Sequence, residues 1–193
     1  MSEEQVVLHC SPTLAGIKPG SMFSVRMDSG EEFISQMAGL NRQLHAAGVR
    51  IVPLKFRDGR ALVYVYRISA LKAYFSEREV ADLLHRYGYR PESPGRCIAR
   101  LGKKVRGENA FPHEVGLFLG YPAEDVDGFI RNRAKGFKQV GTWKVYGDEK
   151  TAQKRFDEFA ACTRNCVKRF REGASLQELT GTLSSIDRRT GTE

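Results

Sequence analysis

Between residues 29 and 48 the chain reads SGEEFISQMAGLNRQLHAAG, and its apolar positions recur every three or four residues. Phe33, Ile34, Met37, Leu40 and Leu44 fall on one face of a helix. Ser29 stands at the N-cap, two acids fill the first turn and Gly48 lies past the end. The spacing changes next. IVPLKF (51–56) and ALVYVYR (61–67) are β-rich runs separated by RDGR, so the pattern predicts a hairpin turning at Asp58-Gly59. Pro53 marks its first strand as an edge or a bulge. Upstream, QVVLH (5–9) reads as a short strand that runs into CSPTLAGIKPG, where Pro12 and Thr13 suit a helix start and Gly16, Pro19 and Gly20 stop it.

Downstream, Ser76 to Glu79 has the form of a capping box, opening a helix that Gly88 ends. Cys97 to Arg106 reads as a basic helix and residues 123–135 as a short one. QVGTWKVYG (139–147) is strand-like. Asp148 caps the longest helix, Glu149 to Glu172, with Ala152, Phe156, Phe159, Ala160, Val167 and Phe170 at helical spacing. Strand, helix, hairpin, helices, strand and helix in that order predict an α/β or α+β fold. A small mixed sheet with a central hairpin would be covered by helices, the longest at the C-terminus. One globular domain is expected over 1–173, followed by a polar tail over 174–193.

Composition narrows the class. Hydrophobic residues are 41% and charged residues 28%, the mix of a water-soluble globular chain. No apolar run reaches the roughly 18–20 residues of a membrane span, and the acids in MSEEQVVLHC are unlike a secretory leader, so a cytoplasmic protein without a membrane partner is expected. In that compartment Cys10, Cys97, Cys162 and Cys166 read as free thiols. The net charge of +8 changes the picture more. Arg90, Arg96, Arg100, Lys103, Lys104 and Arg106 stand against the single acid Glu92. Such a segment either meets an anionic partner (nucleic acid, nucleotide or acidic protein) or is a solvated face. The nucleic-acid reading is the weaker, because the aromatics Tyr64 and Tyr66 lie in the hairpin, away from the basic run. No phosphate-loop motif occurs, and Cys162-x-x-x-Cys166 has no second ligand pair to complete a zinc site. The residues name no metal and no cofactor.

The densest chemistry lies in FPHEVGLFLGYP (111–122), a His-Glu pair set in an apolar run between prolines and glycines. His113 and Glu114 are candidate catalytic residues. Cys10, at the expected junction of strand and helix, would have a thiol activated by free backbone N–H groups and would serve as nucleophile if His113 reached it. Thr13 and Lys18 would line the same pocket for a small-molecule ligand, and Arg100, Lys103 and Lys104 would hold an anionic one. Each has a plain structural alternative: a buried thiol, a histidine bonded to a carbonyl, a glutamate favourable at a helix start.

HCSPTLAGIKP, FPHEVGLFLGYP and WKVYGD together resemble the hallmarks of an uncharacterised family, a domain of unknown function found mainly in anaerobic bacteria. The resemblance spans nearly the whole chain. It implies that the three blocks share one fold and implies no activity. Two readings follow from the residues: a Cys/His pocket for ligand binding or thiol-based catalysis, or a non-enzymatic binding or regulatory module with a basic surface.

Overall fold

The computed structural model describes residues 1–107 and 111–181. It opens with a helix, α1 (Glu3–Leu14), where a strand was expected over 5–9. The reason is local. The Ser2 hydroxyl accepts from the Gln5 N–H (3.3 Å) and the Gln5 side chain accepts from the Ser2 N–H (2.9 Å), a reciprocal cap on the first turn. Burial follows a helical period. Val6, Val7, Cys10 and Leu14 are sealed, whereas Leu8, which alternation would place beside Val6, is 53% exposed. The Pro12 carbonyl then accepts from the N–H groups of Ile17 (3.0 Å) and Lys18 (3.1 Å), folding the chain back towards Pro19.

A strand follows, β1 (Gly20–Arg26), with Phe23 and Val25 buried and Ser24 and Arg26 exposed. After α2 (Gly30–Leu44) come β2 (Val49–Arg57) and β3 (Arg60–Arg67). The order is β1-β3-β2 and both pairings are antiparallel, so the sheet is not mixed and the fold is α+β. The third strand is β1, not the segment before Cys10. Asp58 and Gly59 both have positive φ (50° and 68°), the twist that a two-residue hairpin requires. The register of the edge strand β2 shifts between Pro53 and Lys55, a bulge where Pro53 has no N–H to offer.

The central strand β3 is covered on both faces. Ala61, Val63 and Val65 face a core built with α1 and α2. Tyr64 faces a second core with α3 (Ile68–Phe75), α4 (Arg78–Arg86), α5 (Pro94–Arg106), the single turn α6 (Val115–Phe118) and α7 (Ala123–Arg131). The expected capping box at Ser76 does not form. Its hydroxyl instead donates to the Lys72 carbonyl (2.9 Å), closing α3, and α4 starts at Arg78 without a side-chain cap.

A two-stranded ladder, β4 (Gln139–Val140) with β5 (Lys144–Val145), leads into α8 (Glu149–Arg171). Asp148 caps α8 by accepting from the Lys150 N–H (3.0 Å). Trp143, Val145, Ala152, Phe156 and Phe159 form a third cluster there, while Cys166 reaches the first core beside α1. That core also takes in Leu176 and Leu179, both fully buried, the latter in a 3₁₀ turn over Glu178–Gly181. Ordered packing thus runs past 173, where a polar tail was expected to begin; residues 182–193 lie outside the described residues. Arg67 ties these parts together. Its guanidinium donates to the carbonyls of Ala47 (2.8 Å), Thr180 (2.9 Å) and Leu14, joining the sheet to both ends of the described chain.

Candidate ligand site

FPHEVGLFLGYP becomes α6 and its flanking turns. Leu117 and Phe118 are fully buried, and Phe118 sits edge-on among Phe75 and Tyr89 with centroids 5.2 Å away in each case. The Phe118 carbonyl accepts from the Tyr64 hydroxyl (2.7 Å), which fastens the turn to the sheet. Gly120 has a φ of 72°, and a Cβ there would stand 2.4 Å from the Pro19 ring. Only glycine meets both conditions. The segment is therefore held from both sides, and what it presents to solvent is set.

It presents His113 and not Glu114. Glu114 is buried; its carboxylate pairs with the Lys104 ammonium and accepts from the Tyr89 hydroxyl (3.1 Å). With both partners in place this carboxylate joins α5 to α6 and is not among the residues that line the cavity at His113. Its assignment as a catalytic residue is accordingly corrected, and Lys104 is engaged in the same contact. His113 is exposed and lies 5.1 Å from the Phe129 ring; its carbonyl accepts from the Gly116 N–H (3.3 Å), while its imidazole makes no hydrogen bond among the described residues.

His113 stands at a cavity of about 340 Å³ walled by Phe111, Tyr121, Phe129, Trp143 and Lys144. Tyr121 stacks on Trp143 at 4.9 Å, and Trp143 is edge-on to Phe156 at 4.5 Å. Asp125, buried in α7, holds this wall. It accepts from Trp143 Nε1 (2.7 Å) and from the backbone N–H groups of Tyr146 (2.7 Å) and Gly147 (2.9 Å). The Lys144 ammonium lies over the Phe137 ring at 4.5 Å and donates to the Ala134 carbonyl (2.9 Å), leaving further N–H groups free. Asp125, Trp143 and Lys144 were not singled out as site residues from sequence. The signal was present in AEDVDGFI and WKVYGD, but their meeting is long-range.

Cys10 is elsewhere. It sits mid-helix in α1, fully buried in the first core, and is not among the residues lining the His113 cavity. Burial drives its thiol far above the ordinary range, against a smaller opposing pull from Lys18. With no helix N-terminus and no access, an activated nucleophile is excluded at this position, and the Cys10–His113 pair expected from sequence does not form. Thr13 is also sealed, its hydroxyl 2.8 Å from that of Ser21. Cys162 is the half-buried thiol; it hydrogen-bonds the Cys166 sulfur, which lowers Cys166 to about 7. No group of three or more metal-binding side chains occurs among the described residues. Arg100 lies over the Tyr89 ring (5.8 Å) and shares a cleft of about 290 Å³ with Arg90 and Arg96, while Lys103 is exposed on α5. Among the described residues, no helix is long and apolar enough to cross a membrane.

A fold of this kind, a small antiparallel sheet between helical layers with an aromatic cavity at one end, does not by itself name a chemistry. The chain belongs to the family described as "Protein of unknown function (DUF3793)", whose model matches residues 6–180. No curated protein and no solved structure matches it.

Proposed function

We propose that the protein is a small-molecule-binding module, and that its ligand is a planar aromatic compound carrying one anionic group, seated in the His113 cavity. The observation that carries this reading is an aromatic-walled space of about 340 Å³ opening at a histidine whose imidazole has no hydrogen-bond partner among the described residues. Its volume and its few convergent polar groups are those of ligand pockets in general. The rings of Trp143 and Phe129 would sandwich or edge a planar ligand. His113 and the free N–H groups of Lys144 would take its anionic end. Thiol-based catalysis has no support from a sealed Cys10, so binding without chemistry is the reading retained.

Trp143 is the only tryptophan in the chain, so its fluorescence reports the cavity directly. Anilinonaphthalene sulfonate, an aromatic anion, is expected to quench it saturably in the folded protein. His113→Gln should weaken that binding by about twofold to tenfold, the net worth of one ordinary hydrogen bond. It should change stability by no more than about 1 kcal/mol, as for other exposed positions. Unaltered quenching in the variant, or a melting temperature several degrees lower with binding unchanged, would make His113 structural and end this reading.

A second reading has its own observation. Arg90, Arg96 and Arg100 line one cleft, and among the described residues none of their guanidinium groups is in an ion pair. This arrangement favours an anionic partner on α5. Heparin binding that weakens steeply with salt and disappears in Arg96→Gln/Arg100→Gln would support it; indifference to heparin at low salt would leave a solvated face.

A further inference from the structure

Lys18 lies between the end of α1 and Pro19, and only 8% of it is exposed. Among the described residues its ammonium has no ion pair and no hydrogen bond. What surrounds it are the ring faces of Tyr121 (5.3 Å) and Phe159 (5.8 Å). It lines a cavity of about 450 Å³ that shares no lining residue with the His113 cavity. Glu77, Glu79, Glu124 and Glu158 line the same space with Arg155, and none of the four carboxylates pairs with the lysine.

A buried amine without a counter-ion is costly to keep charged. Proteins ordinarily bring a carboxylate to it, and here four stand close by without doing so. An anionic ligand would be the obvious complement, but it would have to pass carboxylates that outnumber the cations of the cavity. A neutral electrophile meets no such barrier.

We propose that Lys18 is a reactive amine that takes up a small neutral carbonyl compound, an aldehyde or ketone, as an imine within this cavity. The lone pair of the neutral amine forms a bond to the carbonyl carbon as the C=O π bond breaks, and the oxygen takes up a proton. The nitrogen of the resulting carbinolamine gives up one proton, the hydroxyl leaves with a second proton as water, and the C=NH⁺ so formed releases its remaining proton to give the neutral imine. One water is released, and neither oxidant nor reductant is consumed. The rings of Tyr121 and Phe159 flank the nitrogen at 5.3 and 5.8 Å, apolar surroundings that favour the neutral amine the addition requires. Burial also lowers Lys18 to about 8, against a smaller opposing effect of Cys10. The neutral fraction at neutral pH then exceeds that of an exposed lysine on the order of 100-fold.

The inference does not depend on the His113 cavity, and its test does not use it. The full chain is incubated at pH 7.5 with propanal and cyanoborohydride, which reduces imines to stable secondary amines, and the labelled lysines are read by peptide mass spectrometry. Lys18 should be modified about tenfold faster than the exposed lysines, the part of its ionisation advantage that survives restricted access. Lys18→Arg, which keeps a cation in place, should abolish this fast phase and leave the slow labelling of other lysines unchanged. Lys18 labelling no faster than the exposed lysines would overturn the proposal. So would inorganic phosphate raising the melting temperature of the wild type and not of Lys18→Met, because the cavity would then be an anion site.

Discussion

Asp125→Asn tests whether the cavity wall is held as described. The carboxylate is 3% exposed and accepts three N–H groups at 2.7, 2.7 and 2.9 Å. Asparagine has the same shape but one acceptor oxygen. If that oxygen stays with the backbone N–H groups of Tyr146 and Gly147, the new NH₂ group faces Trp143 Nε1–H, donor against donor. The loss has two parts. A hydrogen bond to a charged group contributes about 1.5–3 kcal/mol, and an indole N–H left buried without a partner costs about 1–3 kcal/mol more. The two backbone bonds also weaken as the charge goes. A destabilisation of about 3–5 kcal/mol is expected, as for other broken buried networks. In a domain of this size that corresponds to a melting temperature lower by roughly 10 °C. Urea unfolding followed by Trp143 emission measures it, and the folded baseline should shift in wavelength because the indole loses its carboxylate. Trp143→Phe supplies the control, with unfolding of all variants of this cycle followed by far-UV circular dichroism because that change removes the chain's tryptophan: the double variant should be less destabilised than the sum of the single ones by more than about 1 kcal/mol. A loss under about 1 kcal/mol with unchanged emission would refute the network.

Two further outcomes follow from the packing. Iodoacetamide at pH 7.5 should label Cys162 or Cys166 in the folded protein well before Cys10, since Cys162 is the half-buried thiol of its pair and Cys10 is sealed; labelling of Cys10 first would mean that α1 opens. We also propose that residues 1–181 unfold as one unit. Arg67→Met, which removes donors from the carbonyls of Ala47, Leu14 and Thr180, should lower a single calorimetric transition by about 2–4 kcal/mol at roughly 1 kcal/mol per bond. Two separate transitions would refute it.

What the sequence alone determined is what neighbours along the chain decide. The hairpin over 51–67, α2 from its Ser29 cap, α5 and α8 from its Asp148 cap all rest on periodicity and on caps a few residues away. Two further local signals stand in the sequence. Ser2 to Gln5 is a capping box, and 6, 7, 10 and 14 is a helical spacing, yet β-branched Val6 and Val7 made the segment look like a strand. Ser21 to Arg26 alternates in burial as an edge strand does, and the Gly and Pro before it hid that pattern.

The candidate site was legible only in part. His113 was found because prolines and glycines around a polar pair are visible in one dimension. The fate of its neighbour was not. Glu114 is neutralised by Lys104, ten residues away on another helix. Asp125 gains its purpose from Trp143, Tyr146 and Gly147 across a loop. Cys10 loses its supposed reactivity because α8, roughly 140 residues later, closes over α1. Burial and partner choice are properties of surfaces that meet only after the chain has collapsed. Protonation and reactivity follow from them, so the same residue types at the same spacing could have built a nucleophile or, as here, a core.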